Sequence, residues 1–431
     1  MIEPLLVVVA LLTLIIAGAP IFLALGASGL LGFWMARGSF GLFFAGSSFF
    51  GQLNSFELIA LPLFILMGNF LTATPVGSSL FHAASVWLRW LRGGLAISTV
   101  GAGTVFGAVS GVSVAGVAAV GSIAVPEMLK RGYSRGIAAG SVASAGALAM
   151  LIPPSVPFII YGAVSGVSVG DLFIGGVVPG VLLALALSAY IWVRCTLNPD
   201  EAPHASEDET SWGDKFRALK NIWHALLLVF LVLGSIYSGI ATPSEAAGFG
   251  ALGAFLIAAV IFRALDWRKT FRILGDSVRV SGTILLIIGC ARIFGDYLNL
   301  MRVPQALSDM LVAMDLPAWS ILVVIMIALV LLGMLVDAVS LIVVTTPILL
   351  PLIEAIGYDP LWFGIVLVMN LEIAVVTPPV GLNLYALRGV APMLEVDEII
   401  RAVIPFVVVQ FAVLMVFVLI PELSLWLPGL F

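Results

Sequence analysis

Charge is scarce in this sequence: only 10% of its 431 residues are Asp, Glu, Lys or Arg. Soluble domains carry about 25%, so a water-facing globular surface is excluded. Histidine is scarcer still. His82, His204 and His224 lie far apart, and neither a metal cluster nor a catalytic triad can be assembled from them. Cys195 and Cys290 sit in or beside apolar segments and show no disulfide framework or metal-ligand spacing. No basic run suits nucleic acid, and the formal charge of −5 implies no polyanionic partner. With no motif-placed cysteine and no acids at metal-ligand spacing, an intramembrane enzyme lacks its catalytic set.

Apolar residues fill the space that charge leaves. They make up 61% of the chain, and the mean hydropathy is +1.19. A hydrocarbon core about 30 Å thick takes about 20 apolar residues per helix, which leaves room for roughly ten to twelve passes. The 44 glycines and 23 prolines are tolerated in membranes because neighbouring helices satisfy the freed backbone groups. The apolar run after Met1 lacks a basic leader and outlasts a signal peptide, so it reads as a retained first helix. Two or three passes fit into the first fifty-odd residues, where only Arg37 marks a loop.

Cytoplasmic loops collect Lys and Arg. Arg89/Arg92, Lys130/Arg131/Arg135, the segment 194–220 and Arg263/Arg268/Lys269/Arg272 are therefore placed inside. The segment 194–220, acidic over 200–214, divides the chain into halves. Spans 222–240 and 246–262 form an out-and-back pair. Two full spans between Arg92 and Lys130 would need roughly 40 residues plus a turn, more than the run holds. Its central Gly101, Gly103, Gly107, Ser110, Gly111, Ser113 and Gly116 predict a re-entrant helical hairpin instead. Next, 136–170 crosses with Pro153, Pro154 and Pro157 in mid-run, and three prolines so close cannot continue a helix.

The second half repeats this order with reversed sidedness. Span 278–300 crosses outward, 319–350 forms a second interrupted hairpin, and 361–387 is broken at Pro378-Pro379. The loop 351–360 carries Glu354 and Asp359 but no Lys or Arg, whereas its counterpart carries Lys130, Arg131 and Arg135. The predicted fold is thus an all-α polytopic membrane protein of the inverted-repeat, ion-transporter type, with two re-entrant hairpins and two Pro-Pro-broken helices. Its parts are a scaffold with an interfacial arm (1–92), a first repeat core (93–195), a cytoplasmic loop (196–221), scaffold helices with a connecting arm (222–317), a second repeat core (318–390) and a C-terminal membrane helix (391–431). His82, Trp87 and Trp90 mark the interfacial arm.

Unwound backbone survives in a membrane only inside protein or along an aqueous cavity. Freed carbonyls beside hydroxyls can hold a desolvated Na⁺, and half-helix N-termini can face an anion. One kinked helix is usually structural, but two matched breaks, each after a Gly/Ser hairpin, read as a binding site. Asp337 and Glu372 are carboxylates in apolar runs, where each costs about 2.5–3.5 kcal/mol on insertion scales. Either coordinates an ion or substrate, or forms a helix-packing hydrogen bond. Ser155, Ser340, Asn370 and Asn383 join Asp337 as candidate substrate contacts, with interhelical hydrogen bonds as the competing reading. Arg292 reads as the partner of Asp296 one turn on, and Glu57 and Asp171 read as interfacial.

At these residues the chain resembles the large membrane subunit of tripartite ATP-independent periplasmic (TRAP) transporters. The likeness is carried by 126–133 (PEMLKRGY), 152–162 (IPPSVPFIIYG), 241–247 (ATPSEAA), 333–351 (GMLVDAVSLIVVTTPILLP) and 370–384 (NLEIAVVTPPVGLNL). It implies a bacterial inner-membrane, multi-pass subunit with a mobile core working as an elevator against a scaffold. It also implies Na⁺ as coupling ion, a small four-helix membrane subunit and a periplasmic binding protein that delivers a carboxylate. By the same resemblance, one Na⁺ site falls at Ser110, Ser113, Ala149, Ile152 and Pro154, and another at Gly333, Ala374, Thr377 and Val380. The chain departs from the family at Ala149 and Met150, where Gly-Pro is frequent, at Gly116, where an acid is common, and at Ala374, where Gly is usual. A stand-alone ion-coupled carboxylate exchanger or symporter of the same fold is the alternative, and a channel a further one.

Overall fold

A computed structural model describes residues 2–203, 211–313 and 316–430. His204 and the middle of the connection read at 196–221 lie outside the described residues. Among the described residues every regular element is a helix.

The chain opens with α1 (Ile2–Ile16) and α2 (Ile21–Leu53), which bends at Gly38, where φ is +61°. That left-handed backbone requires glycine. Next come α3 (Ala60–Thr72) and α4 (Val76–Leu88); α4 turns off by 69° and carries His82 and Trp87, with Trp90 and Arg92 just beyond its end. Helices α5 (Gly94–Ser110) and α6 (Ser113–Lys130) form the first hairpin, and α7 (Arg135–Ala147) and α8 (Val156–Ser165) the first broken helix. Helix α9 (Val169–Leu197) ends this half.

Helices α10 (Trp212–Tyr237), α11 (Pro243–Leu256) and α12 (Trp267–Leu300) follow. The hydrophilic connection is thus shorter than 196–221. Ser211 caps α10 by accepting from Gly213 N–H, so Lys215, Arg217 and Lys220 belong to its first turns. The ATPSEAA stretch is a helix start: Thr242 and Glu245 form a reciprocal capping box before α11. Then come α13 (Val303–Ala313), the second hairpin of α14 (Ala318–Gly333) and α15 (Ala338–Ala355), the second broken helix of α16 (Pro360–Ala374) and α17 (Leu382–Val390), α18 (Val396–Leu419) and the short α19 (Glu422–Leu425).

Among the described residues, eight helices are long and apolar enough to cross a membrane, and the bent α3–α4 pair makes a ninth. That corrects the expectation of ten to twelve passes. The difference lies in the half-length helices that the Pro-Pro and Gly/Ser breaks carve from the apolar sequence. Glycine lets the scaffold close up: a methyl on Gly29 would lie 2.9 Å from Phe294 N, and one on Gly32 2.7 Å from the Tyr297 ring. Small residues at such contacts let membrane helices pack closely.

The two halves share more than their order. One constant offset in residue number relates Pro126 to Pro351, Gly132 to Gly357, Tyr133 to Tyr358 and Pro153-Pro154 to Pro378-Pro379. Both hairpins end alike. Tyr133 N–H donates to Met128 O at 3.0 Å and Gly132 N–H to Leu129 O at 3.1 Å; Tyr358 N–H donates to Ile353 O and Gly357 N–H to Glu354 O, both at 3.0 Å. Each is a left-handed glycine closing a helix end. The next residue, Ser134 or Asp359, then caps the following helix. Asp359 accepts from Leu361 N–H at 2.7 Å and Trp362 N–H at 3.2 Å. Asp359→Ala is expected to cost about 1 kcal/mol of stability, read as an earlier midpoint in denaturant titration of the detergent-purified protein.

Candidate functional site

Both hairpin tips and both unwound segments meet at one cavity of about 510 Å³. The first tip brings Gly111, Val112 and Ser113, and the second Asp337, Ala338 and Val339. Met150, Val156, Val375 and Asn383 come from around the breaks, and α12 closes the wall with Arg279, Thr283 and Ile287. Tips from halves with opposite loop charges share this depth, so the hairpins enter from opposite faces.

Glycine brings the first tip onto the first break. A methyl on Gly107 would lie 2.6 Å from Ala149 Cα, and one on Gly111, where φ is +62°, 3.0 Å from Pro154 O. Ala149 sits in the 3-10 turn Leu148–Met150 that ends the first half-helix. Ile152 N–H donates to Leu148 O at 3.1 Å, and its side chain packs over Gly180. Ser110 is buried and its hydroxyl meets no partner among the described residues. Ser113 Oγ donates to Asn383 Oδ1 at 2.8 Å, while Asn383 Nδ2 donates to Ala143 O at 3.3 Å. Asn383 thereby joins the two repeats.

The second half mirrors this contact. A methyl on Gly333 would lie 2.7 Å from Ala374 Cβ; Ala374 is the counterpart of Ala149 under the same offset. Thr377 Oγ1 donates to Ile373 O at 2.6 Å, and Val380 lies half-buried in the same break. Neither Ala149 nor Ala374 has a positive φ; among the described residues only Arg263 and Arg302 are non-glycine residues that do. Alanine therefore fits where the family often has glycine.

The candidate substrate contacts divide. Asp337 and Asn383 line the cavity. Asp337 also caps α15, accepting from Ser340 N–H at 3.0 Å and Ser340 Oγ at 2.6 Å. Ser340 is thus engaged behind the wall. Ser155 donates to Met150 O, and Asn370 Nδ2 donates to Met326 O at 3.0 Å, tying α16 to α14. Ser155, Ser340 and Asn370 are not brought to the cavity wall. Arg292 pairs with Asp296 at 3.0 Å, as its spacing suggests.

Arg279 is the residue that sequence reasoning missed. It stands at the edge of span 278–300, a few residues beyond a basic cluster, and looks interfacial by position. Its pair with Asp276 is long, 3.6 Å, with side chains 81% and 55% exposed. So open a pair holds the guanidinium weakly. Farther along α12 lies a second cleft of about 150 Å³ bearing Arg292, Asp296, Gln52 and Pro347. Helices α8, α12 and α15 line the first cavity at one end and this cleft at the other. Within this cleft Gly295 packs on Pro347.

Fold and site together define a polytopic transport protein built from an inverted repeat, with a cavity at the hairpin tips. A family model described as "Tripartite ATP-independent periplasmic transporter, DctM component" matches residues 8–423. The chain is 35% identical to the C4-dicarboxylate TRAP transporter large permease protein DctM of Vibrio cholerae, covering 97% of this chain and 95% of that protein. It is 34% identical to the isethionate TRAP transporter permease protein DctMQ of Oleidesulfovibrio alaskensis, covering 96% of this chain but 65% of that longer protein. The Alcanivorax borkumensis YdaH transporter structure shares the fold with a TM-score of 0.63 at 15% identity, covering 90% of this chain and 89% of that one. The chain belongs to the DctM family: it is the large permease subunit of a TRAP transporter, an inner-membrane transport subunit and not an enzyme. Large permeases of this family work with a substrate-binding protein and a small membrane subunit.

Proposed function

We propose that the chain imports a small carboxylate, driven by Na⁺, from a periplasmic binding protein, with a small four-helix membrane subunit attached. One observation carries this reading: two hairpin tips, two broken helices and the cation Arg279 converge on one cavity. Half-helix ends and a guanidinium favour an anion. The names of the two relatives, C4-dicarboxylate and isethionate, are those of small organic anions.

Na⁺ would sit at the two hairpin–break contacts. Freed carbonyls around Ala149, Ile152 and Pro154, with the unpartnered hydroxyl of Ser110 and that of Ser113, supply oxygen ligands in the first half. Gly333, Ala374, Thr377 and Val380 do so in the second. Two clefts along the same three helices support an elevator, in which hairpins and broken helices move as one body past α12. The fit of this chain to partner-fed relatives favours the tripartite arrangement over a stand-alone exchanger or symporter.

The test is reconstitution with the small subunit and binding protein, followed by radiolabelled carboxylate uptake under an imposed Na⁺ gradient. Uptake should follow the gradient; indifference to it would remove Na⁺ coupling, and full uptake without the binding protein would favour the stand-alone alternative. Ser110→Ala and Thr377→Ala should each raise the half-saturating Na⁺ concentration about tenfold, the effect of one lost hydrogen-bond-strength contact to a charge. Activation curves unchanged in both variants would refute this placement.

A further inference from the structure

We infer that Glu372, Gln410 and Ser144 form a further Na⁺-binding site inside the bundle of α7, α16 and α18, separate from both hairpin–break contacts. The choice of Na⁺ rests on the coupling ion proposed above; the site itself rests on its own geometry. All three side chains are at least 99% buried. Neither carboxylate oxygen of Glu372, neither amide atom of Gln410, nor the Ser144 hydroxyl finds a hydrogen-bond partner among the described residues. Buried polar groups are ordinarily paired, and each orphan is destabilising, more so when charged.

Three contacts bring these residues to one depth. Trp362 Nε1 donates to Phe417 O at 2.9 Å, which sets α16 antiparallel to α18. At about 1.5 Å per residue, equal steps from that bond reach Glu372 on one helix and Val407 on the other, one turn from Gln410. Arg135 pairs with Glu398 at 3.0 Å, and Gly140 packs directly under Phe406. Helices α7 and α18 are therefore parallel here, and one turn further along each sets Ser144 opposite Gln410. Asn383 closes the triangle: its side chain donates to Ala143 O at 3.3 Å and its backbone N–H to Val375 O at 3.1 Å. Ala143 adjoins Ser144, and Val375 lies one turn from Glu372. Glu372 also points away from the second hairpin, being about 200° around α16 from Ala374, which faces Gly333.

Among the described residues no cationic side chain pairs with Glu372, and Arg388 of α17, the helix packed on both α7 and α18, donates instead to Pro392 O and Leu394 O. Of the elements packed on α16, α8, α14 and the turn 148–150 carry no charged residue, α15 carries Glu354 after its Asp337 cap, and α19 carries Glu422. Helix α9 has Asp171 and Arg194 at its ends, and Arg194 is paired with Glu201 at 2.7 Å. Helix α18 has Asp397, Glu398 and Arg401 in its first turns, and Arg401 lies about 13 Å along the axis from Gln410. A lone buried carboxylate is strongly unfavourable unless a cation joins it or a proton neutralises it. Two carboxylate oxygens, an amide oxygen and a hydroxyl make an all-oxygen donor set, which suits a hard ion such as Na⁺.

The experiment is equilibrium dialysis with ²²Na⁺ on the full chain purified with its small subunit, without substrate, at constant ionic strength made up with choline. Glu372→Gln should bind one Na⁺ fewer per chain than the parent. Gln410→Leu and Ser144→Ala keep the carboxylate and should each weaken one class of bound Na⁺ about tenfold. If Glu372→Gln does not insert into the membrane, the double variant Gln410→Leu/Ser144→Ala decides by the same readout. A Glu372→Gln protein that binds as many Na⁺ ions with the same affinity overturns the site, and one that does so while its pH response changes assigns the occupant as a proton. Coupled uptake with unchanged binding in Glu372→Gln would remove this site alone. Na⁺-independent uptake by the parent would remove the coupling and leave the dialysis result standing.

Discussion

Arg279→Gln is expected to raise the KM for an anionic substrate about 10- to 100-fold, with the maximal uptake rate largely kept. A hydrogen bond to a charged group contributes about 1.5–3 kcal/mol, and each 1.4 kcal/mol is tenfold in affinity. Arg279 lines the cavity, and among the described residues its one ion pair is an exposed 3.6 Å contact with Asp276. Such a pair is worth at most about 1 kcal/mol, so an incoming carboxylate competes for the guanidinium at small cost. Glutamine keeps polarity but is shorter, and it removes the charge and the forked donor geometry that suits carboxylates. Arg279→Lys should recover part of the loss, because a point charge retains attraction without the bidentate fit. The measurement is substrate-dependent uptake by the reconstituted tripartite assembly at saturating Na⁺. A KM unchanged in Arg279→Gln would take Arg279 out of substrate recognition and weaken the case for an anion.

Why Arg279 escaped the sequence, while the breaks did not, has a physical basis. Pro153-Pro154 and Pro378-Pro379 announce themselves because two consecutive prolines remove two donors and clash with the preceding turn, whereas single prolines such as Pro126 and Pro347 sit inside α6 and α15. Loop charges likewise report sidedness without any knowledge of packing. A cation near the end of a long apolar helix has no such signature. Whether Arg279 snorkels to the interface or faces a cavity depends on which neighbours pack against α12, and that is a tertiary fact.

The same distinction explains the polar candidates. Asn370 and Asn383 look alike beside the second break, yet Asn370 turns to Met326 O and Asn383 to the first hairpin. Helical phase separates them, and the unwound segment between them erases the phase on which a sequence argument depends. Ser340 is a candidate by composition, but Asp337 claims its hydroxyl as an N-cap. The constant offset between the repeats, by contrast, was open to inspection all along. The Gly-Tyr pairs at 132–133 and 357–358, each followed by a capping Ser134 or Asp359, carry it. The count of crossings came out too high because apolar length alone does not distinguish a span from a half-length arm that ends at the cavity.

The glycines that seat the hairpins on the breaks give the other large expected effect. Gly107→Val and Gly333→Val should each lower Na⁺-driven uptake about a hundredfold while leaving the protein in the membrane. At Gly107 even a methyl would lie 2.6 Å from Ala149 Cα, and at Gly333 2.7 Å from Ala374 Cβ. The obstructing atoms are backbone and Cβ, which cannot swing aside as a long side chain can. Overpacking of this kind costs about 1–3 kcal/mol and moves the backbone. The moved backbone is the one that would present carbonyls to the ion. Binding constellations tolerate displacements of only about 0.5 Å, and a shift near 1 Å costs about 10²-fold in comparable sites. Gly101 supplies the control on the same helix, since a methyl there meets nothing within 4 Å. Gly101→Val carries the same β-branched burden in α5 and should transport almost as the parent does. The reciprocal exchange Gly333→Ala with Ala374→Gly should recover uptake that Gly333→Ala alone loses, because the nearest obstructing atom there is Ala374 Cβ and the exchange only moves the methyl across the contact. Equal uptake by Gly107→Val and Gly101→Val would mean that the hairpin need not seat on the break for transport, and the proposed ion sites would lose their structural basis.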